Sequence, residues 1–340
     1  GAFCQFCISM FLHRFTKTRA PEFPGYLTWL QGDAQSLKQL RGKVVLIDFW
    51  TYSCVNCLRT QPRLNRWHKL YADQGLVIIG IHTPEFSFEK VEKNVERAIN
   101  DLEIKYPVVL DPDYKLWHEY ANEYWPRKYL INKDGYIVYD HIGEGGYAET
   151  ELAIQTALKE ISVKDLPLVP PDDANHGAVC YKTTPETYLG FLRGKFGNAQ
   201  NYLPDTEEVF ADVPKHADDT PYLYGHWTVT AEYAEHSRKL PAANEYLALK
   251  YNAFSVNLVM GTSNGRTAVI ELELDGKPLP KDLAGDDVRI GRDGKATITL
   301  KDHRMYRLVK AKMYHKGTLK LKTASGNVQL FAFTFHGCAE

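Results

Sequence analysis

Charge imbalance is the first thing this 340-residue chain lacks: 41 Lys and Arg stand against 42 Asp and Glu, for a formal net charge of -1. Such a balance offers no basic field to nucleic acid or to an anionic membrane, so no nucleic-acid partner is expected. A membrane-length apolar run is missing as well. Phe3 to Leu12 is apolar but far short of the roughly 20 residues that cross a bilayer. Gly1 reads as a cloning scar or a processing product, and residues 1–21 as the trimmed end of a membrane-proximal or signal segment. Cysteine is scarce, six in all, so each pairing carries meaning. Cys4 and Cys7 have CxxC spacing, but no strand precedes them, and they receive no role. A zinc site needs two further Cys or His ligands at compatible spacing, which His68 and His82 do not supply. Neither a metal nor a cofactor is expected. The composition, 44% hydrophobic, suffices for two ordinary cores, since domains usually run about 100–200 residues.

What is present is concentrated at Cys54-Val55-Asn56-Cys57. Val44-Val45-Leu46-Ile47-Asp48-Phe49-Trp50 reads as a buried parallel strand, Thr51-Tyr52-Ser53 as a short loop, and Leu58 to Leu70 as a helix. That layout puts Cys54 at a helix N-terminus, where unpaired backbone N–H groups and the helix dipole favour the reactive thiolate. Cys57, three residues on, is within reach to close a disulfide ring with it.

With these residues in view, 22–162 resembles a thioredoxin-like domain of the TlpA type. Asp48-Phe49-Trp50 ahead of the cysteine pair is similar to the family signature, and Pro62 matches the proline inside the family's helix. Trp125-Pro126 before Arg127 to Ile131 resembles the family's cis-proline loop, which lies against the active-site sulfur. The helix and strand between Ile81 and Trp125 resemble the TlpA-type insertion. Val55-Asn56 replaces the commoner Gly-Pro, and Ser53 stands where Trp is usual, so the pattern leaves the redox potential open.

Residues 163–183, rich in proline and charge around Pro167, Pro170 and Pro171, read as a linker. From 184 to 340 helical periodicity is nearly absent. Short alternating runs take over, near 226–233, 245–250, 254–260, 267–274, 296–300, 306–310, 318–322 and 328–335, punctuated by Asp275-Gly276 and Asp293-Gly294. The expected closure is an all-β sandwich. Thr184-Pro185-Glu186-Thr187-Tyr188-Leu189-Gly190 and Phe331-Ala332-Phe333-Thr334-Phe335, behind the first half, resemble the soluble C-terminal region of DipZ-type cytochrome c biogenesis proteins. That resemblance implies a jelly-roll, carbohydrate-binding-module-like sandwich, an extracytoplasmic location in the periplasm or cell envelope with tethering through a missing N-terminal part, and a membrane electron donor. Tyr202, Tyr222, Tyr224 and Trp227 are candidates for stacking a glycan, although aromatic residues in strands more often fill the core.

The resulting expectation is a thiol-disulfide oxidoreductase acting on protein substrates, as a reductant by resemblance to the family. Cys54 attacks and Cys57 resolves, while Asp48, lying in an apolar run, should have its pKa raised by desolvation and exchange a proton with Cys57. Trp50, Tyr52 and Trp125 are expected to shape the surface around the sulfur, with Pro126 beside it. Glu144 in its glycine-rich loop reads as a solvated acid. Cys180 and Cys338 bracket the sandwich and are expected to form a structural disulfide, because domain termini are commonly neighbours. Two other classes stay open: a redox-sensing binding protein whose sandwich recruits a glycan or protein partner, and a thiol peroxidase. Substrate identity, oligomeric state and the direction of electron flow are not legible.

Overall fold

The computed structural model describes residues 18–162, 165–170, 180–239 and 244–338, and the chain divides into two compact units, Gly1–Ala174 and Asn175–Glu340. Cys4, Cys7 and much of the expected 163–183 linker lie outside the described residues.

The first unit runs β1 (Trp29–Gln31), β2 (Val44–Trp50), α1 (Val55–Tyr71), β3 (Leu76–His82), α2 (Glu92–Asp101), β4 (Val108–Leu110), α3 (Lys115–Glu119), β5 (Arg127–Ile131), β6 (Ile137–Ile142) and α4 (Tyr147–Leu158). The sheet order is β1-β4-β3-β2-β5-β6. β2 pairs in parallel with β3 and β3 with β4, while β5 lies antiparallel to β2. This is the thioredoxin-like α/β arrangement, with α2, β4 and α3 in the inserted stretch. Every residue of β2 is buried, as a strand covered on both faces requires. Val44, Leu46 and Trp50 share one core with Leu64, Trp67 and Ile154. Val45, Ile47 and Phe49 enter the other with Ile79, Trp117 and Tyr129. Asp48 therefore falls by alternation on the face that α1 covers.

The unit begins upstream of residue 22. The Ile137 amide donates to the Thr18 carbonyl (2.9 Å) and the Ala20 amide to that of Gly135 (3.1 Å), and Ala20 and Phe23 are buried. This segment supplies pairing to β6 next to the Asp134-Gly135 turn, a contact with no local sequence signature.

The second unit is all-β and, among the described residues, carries no α-helix. Its strands are β7 (Thr187–Tyr188), β8 (Glu207–Phe210), β9 (Pro221–Val229), β10 (Ala234–His236), β11 (Tyr246–Thr262), β12 (Ala268–Leu274), β13 (Lys277–Pro278), β14 (Arg289–Ile290), β15 (Ala296–Leu300), β16 (Arg304–Thr323) and β17 (Val328–His336). The runs at 245–250 and 254–260 are one strand, β11, and those at 306–310 and 318–322 are one strand, β16. Register irregularities at Ala253/Ser255 and Val256/Asn257 let β11 bend without ending. Its first part pairs with β9 and its second with β17, the way a strand serves two layers of a sandwich. Asp275 and Gly276 both have positive φ, 52° and 77°, as a two-residue hairpin turn demands. No helix among the described residues is long and apolar enough to cross a membrane.

Candidate redox site

β2 ends at Trp50 and delivers the chain into α1 through Thr51-Tyr52-Ser53. Cys54 is the N-cap of α1, in extended conformation with φ -76° and ψ 117°. Its carbonyl accepts from the Leu58 amide at 3.0 Å, closing the first helical turn, and Pro62 lies inside the same helix. Cys54 is half-buried and Cys57 buried, and no disulfide joins the two thiols. The Trp125-Pro126 peptide is cis, and the Cys54 Sγ lies 3.9 Å from the Trp125 carbonyl oxygen, to which its thiol donates. The Gly143 amide secures the loop by donating to the Pro126 carbonyl at 2.8 Å. On the same side Arg59 pairs with Glu144 at 3.3 Å, so the loop acid has a protein partner.

Behind Cys54 lie buried groups that hold their protons more tightly than usual. Burial pushes the Cys57 thiol well above its usual range, and the hydrogen bond and charge of Cys54 and the charge of Asp48 push it further. Asp48 is 1% exposed. Burial raises its carboxyl from 3.8 to about 6, against the pull of Lys128. Lys128 Nζ stands 3.4 Å from Asp48 Oδ1, and both side chains are withdrawn from solvent. They face each other because Asp48 on β2 is the register partner of Lys128 on β5.

A second buried acid approaches from the insertion. Glu89 Oε1 accepts the Ser53 amide at 3.1 Å, and Oε2 accepts the Glu85 amide at 2.7 Å and the Phe86 amide at 3.0 Å. Burial raises its carboxyl from 4.5 to about 7, opposed by donors from Thr51 and Ser53 and assisted by the charge of Glu85. His82 closes the rear. Burial lowers it to about 3, so it is neutral, and its ring meets Trp50 edge-on and Tyr52 face-on.

The structure brings Cys54, Cys57, Asp48, Trp125 and Pro126 together. Trp50 and Tyr52 depart from their expected surface role, with only 1% and 5% of each exposed. Trp50 is the last residue of an all-buried strand, and Tyr52 folds inward onto His82, so neither presents a face to a protein substrate. Lys128 and Glu89 were not anticipated. The signal for Lys128 is a lysine inside a strand, between Arg127 and the apolar and aromatic run Tyr129-Leu130-Ile131. Glu89 gave none, because Phe88-Glu89-Lys90 reads as the start of an exposed helix. Among the described residues no group of three His, Cys, Asp or Glu could hold a metal ion.

In the second unit Cys180 and Cys338 are joined by a disulfide with Cα atoms 4.2 Å apart, beside a hydrogen bond from the Tyr181 amide to the Gly337 carbonyl at 2.8 Å. Of the aromatic candidates, Trp227 and Tyr222 are buried and Tyr202 packs against the core, filling the sandwich as strand aromatics usually do. Tyr224 alone is exposed, at 40%, and it stacks on Tyr246 with ring centroids 5.1 Å apart.

Residues 16–154 match the Redoxin family and residues 184–336 the family described as thioredoxin like C-terminal domain. The chain is homologous to Protein DipZ of Mycobacterium tuberculosis, at 34% identity over 330 residues, which is 93% of this chain and 42% of DipZ. It thus spans less than half the length of that relative. It is 32% identical over 143 residues to the thiol-disulfide oxidoreductase ResA of Bacillus thuringiensis, covering 42% of this chain and 76% of ResA. It is 38% identical over 142 residues to NHL repeat-containing protein 2 of Homo sapiens, covering 41% of this chain and 20% of that protein.

Proposed function

This chain belongs, through its first unit, to the family of the thiol-disulfide oxidoreductase ResA, and from that premise we propose that it exchanges dithiol for disulfide with protein substrates through Cys54 and Cys57. The observation that carries the reading is the placement of one accessible and one buried thiol at a helix start, with a buried carboxyl behind them and a cis-proline loop in front.

Cys54, as thiolate, attacks a substrate disulfide. The substrate S–S bond breaks, one sulfur leaves as thiolate, and the other stays bonded to Cys54. Cys57 then gives its proton to Asp48 and attacks Cys54 Sγ. The substrate's second thiol is released, and Cys54 and Cys57 are left as the disulfide, oxidised by the two electrons the substrate gained. The helix N-terminus stabilises the attacking thiolate. Asp48 is suited to the proton step because burial holds it near 6, closer to working pH than an ordinary carboxyl. Pro126, with no N–H of its own, leaves the Trp125 carbonyl edge as the surface that meets the sulfur.

The direction we assign is reduction in an extracytoplasmic compartment, in cytochrome c maturation or disulfide handling, with a membrane dithiol donor restoring the thiols. The likeness to DipZ supports it, as does the Cys180–Cys338 disulfide, a bond that persists in oxidising compartments. The test is trapping. Cys57→Ser accumulates mixed disulfides with substrate proteins, and Cys54→Ser does not; equal trapping by the two variants sinks the assignment. A reduction potential near about -270 mV marks a reductant, and one near about -120 mV an oxidant.

The second reading is a binding protein whose sandwich recruits a glycan, its thiols sensing redox state. The exposed Tyr224 ring beside Tyr246, with Lys320 Nζ 4.1 Å over the latter, is what favours it. Catalytic reduction of insulin disulfides counts against it.

A further inference from the structure

Glu89 takes no part in the exchange just described, yet its carboxylate joins two segments that are 36 residues apart. One is the loop that leads into Cys54; the other is the insertion between β3 and α2. We propose that Glu89 is a positioning residue for the Cys54 nucleophile, holding the Ser53 amide so that α1 begins at Cys54 with its sulfur turned toward the Trp125-Pro126 loop. The inference rests on the assignment of Cys54 as nucleophile.

The geometry assigns one oxygen to each segment. Oε1 takes the Ser53 amide, one residue before the nucleophile, at 3.1 Å. Oε2 takes the Glu85 and Phe86 amides at 2.7 and 3.0 Å. These three donors, which stand beside the Thr51 side-chain donor, are backbone N–H groups in a region Glu89 shares with almost no solvent, being 1% exposed itself, so each needs an acceptor. The segment's aromatic rings pack on the same loop: Phe88 meets Tyr52 at 6.0 Å and stacks on Phe86 at 5.6 Å. The Cys54 side chain makes no capping hydrogen bond to its helix, and its amide reaches back to the Thr51 carbonyl at 3.4 Å, a long bond. The hold on Ser53, beside the Thr51 side-chain donor, is thus a tether that Glu89 places between the end of β2 and the helix start.

The experiment reads Cys54 directly, in the full-length chain carrying Cys57→Ser, as the second-order rate of iodoacetamide alkylation of the Cys54 peptide by mass spectrometry. Glu89→Ala slows it by about tenfold, the factor expected when a hydrogen bond to a charged acceptor is lost. Glu89→Gln keeps one acceptor oxygen and recovers part of that loss. A folded Glu89→Ala that alkylates within about twofold of its parent, or faster, overturns the proposal; in that case Glu89 stabilises the insertion or acts only by its charge. If Glu89→Ala does not fold, Glu89→Gln alkylating at the parental rate overturns it. The unsubstituted chain gives an independent check, since Ser53 must show a protected amide in hydrogen exchange and an unprotected one ends the argument. Alkylation needs no disulfide substrate, so failure here is distinct from failure of the trapping experiment.

Discussion

Replacing Asp48 by Asn should flatten part of the pH dependence of the first unit's stability, and its size follows from burial. Raising a carboxyl from 3.8 to about 6 places its charged form about 3 kcal/mol above where the unfolded chain holds it, at about 1.4 kcal/mol per pH unit. Because the folded value is the higher one, the native state binds the proton more tightly. The stabilisation is fully present below 3.8, is lost as pH rises to about 6 and is constant above that. Asn has no such proton to lose. The difference in unfolding free energy, parent minus Asp48→Asn, therefore falls by about 3 kcal/mol across that window. Glu89 titrates in a neighbouring window, from 4.5 to about 7, but it is present in both proteins and cancels. The absolute change at one pH is not diagnostic, because the substitution also leaves Lys128 without its partner, a loss of about 3–5 kcal/mol for a buried pair. Urea unfolding of the reduced protein, followed by tryptophan fluorescence, is the assay. Five of the six tryptophans, Trp29, Trp50, Trp67, Trp117 and Trp125, lie in the first unit, so the signal reports mainly on it. A difference that does not change with pH refutes the buried-acid account. In the exchange reaction the same variant should resolve mixed disulfides about 10²-fold more slowly, the usual contribution of a placed proton acceptor, while forming them at nearly the parental rate. Unchanged resolution would reduce Asp48 to a structural acid.

Lys128→Met removes the cation that pulls the Asp48 proton affinity down, so the Asp48 carboxyl followed by carbon NMR should titrate above 6; a midpoint that stays or falls contradicts the pairing. Replacing Cys180 and Cys338 by Ser opens a loop closed over 158 residues, and the second unit should lose roughly 5 kcal/mol in the chain-entropy account; peptide mapping without reductant that never links the two cysteines removes the premise. Glu245, raised by burial but brought down to about 2 by hydrogen bonds from His226, His236 and Arg238, contributes stability that is present above 4.5 and fades as pH falls toward 2. Glu245→Gln should therefore cost the second unit about 3 kcal/mol at neutral pH and progressively less in acid, and chemical unfolding at pH 7 and pH 3 checks the convergence.

What could be read from the sequence divides along a physical line. β2, α1 and the position of Cys54 follow from local pattern: an unbroken apolar strand, three loop residues, then helical spacing. Each of those signals lies within a few residues of the element it marks, and the Asp275-Gly276 hairpin is legible for the same reason. The strands β11 and β16 each read as two pieces in sequence, because Asn252 and Gly317 interrupt the apolar alternation; pairing along both edges carries the backbone through. Nearness to the cysteines points Trp50 and Tyr52 to the surface, but the alternation of β2 and the ring of His82 send them inward.

The site's proton chemistry is the least local part. Asp48 announces itself as a carboxyl in an apolar run, and burial is what raises its affinity, yet the cation that holds that rise in check is Lys128, 80 positions away, and that pairing exists only because β5 returns antiparallel to β2 with Asp48 opposite Lys128. Glu89 is further still from its own local pattern: its neighbours in sequence are exposed or aromatic, and its partners include the backbone of a distant loop, which has no side-chain signature to search for. A buried acid can be guessed from hydropathy, whereas the donor or cation that tunes it comes from strand order and from the insertion. The cysteine pair is therefore legible in a single local stretch, whereas the Lys128 and Glu89 contacts around it come from strand order and the insertion.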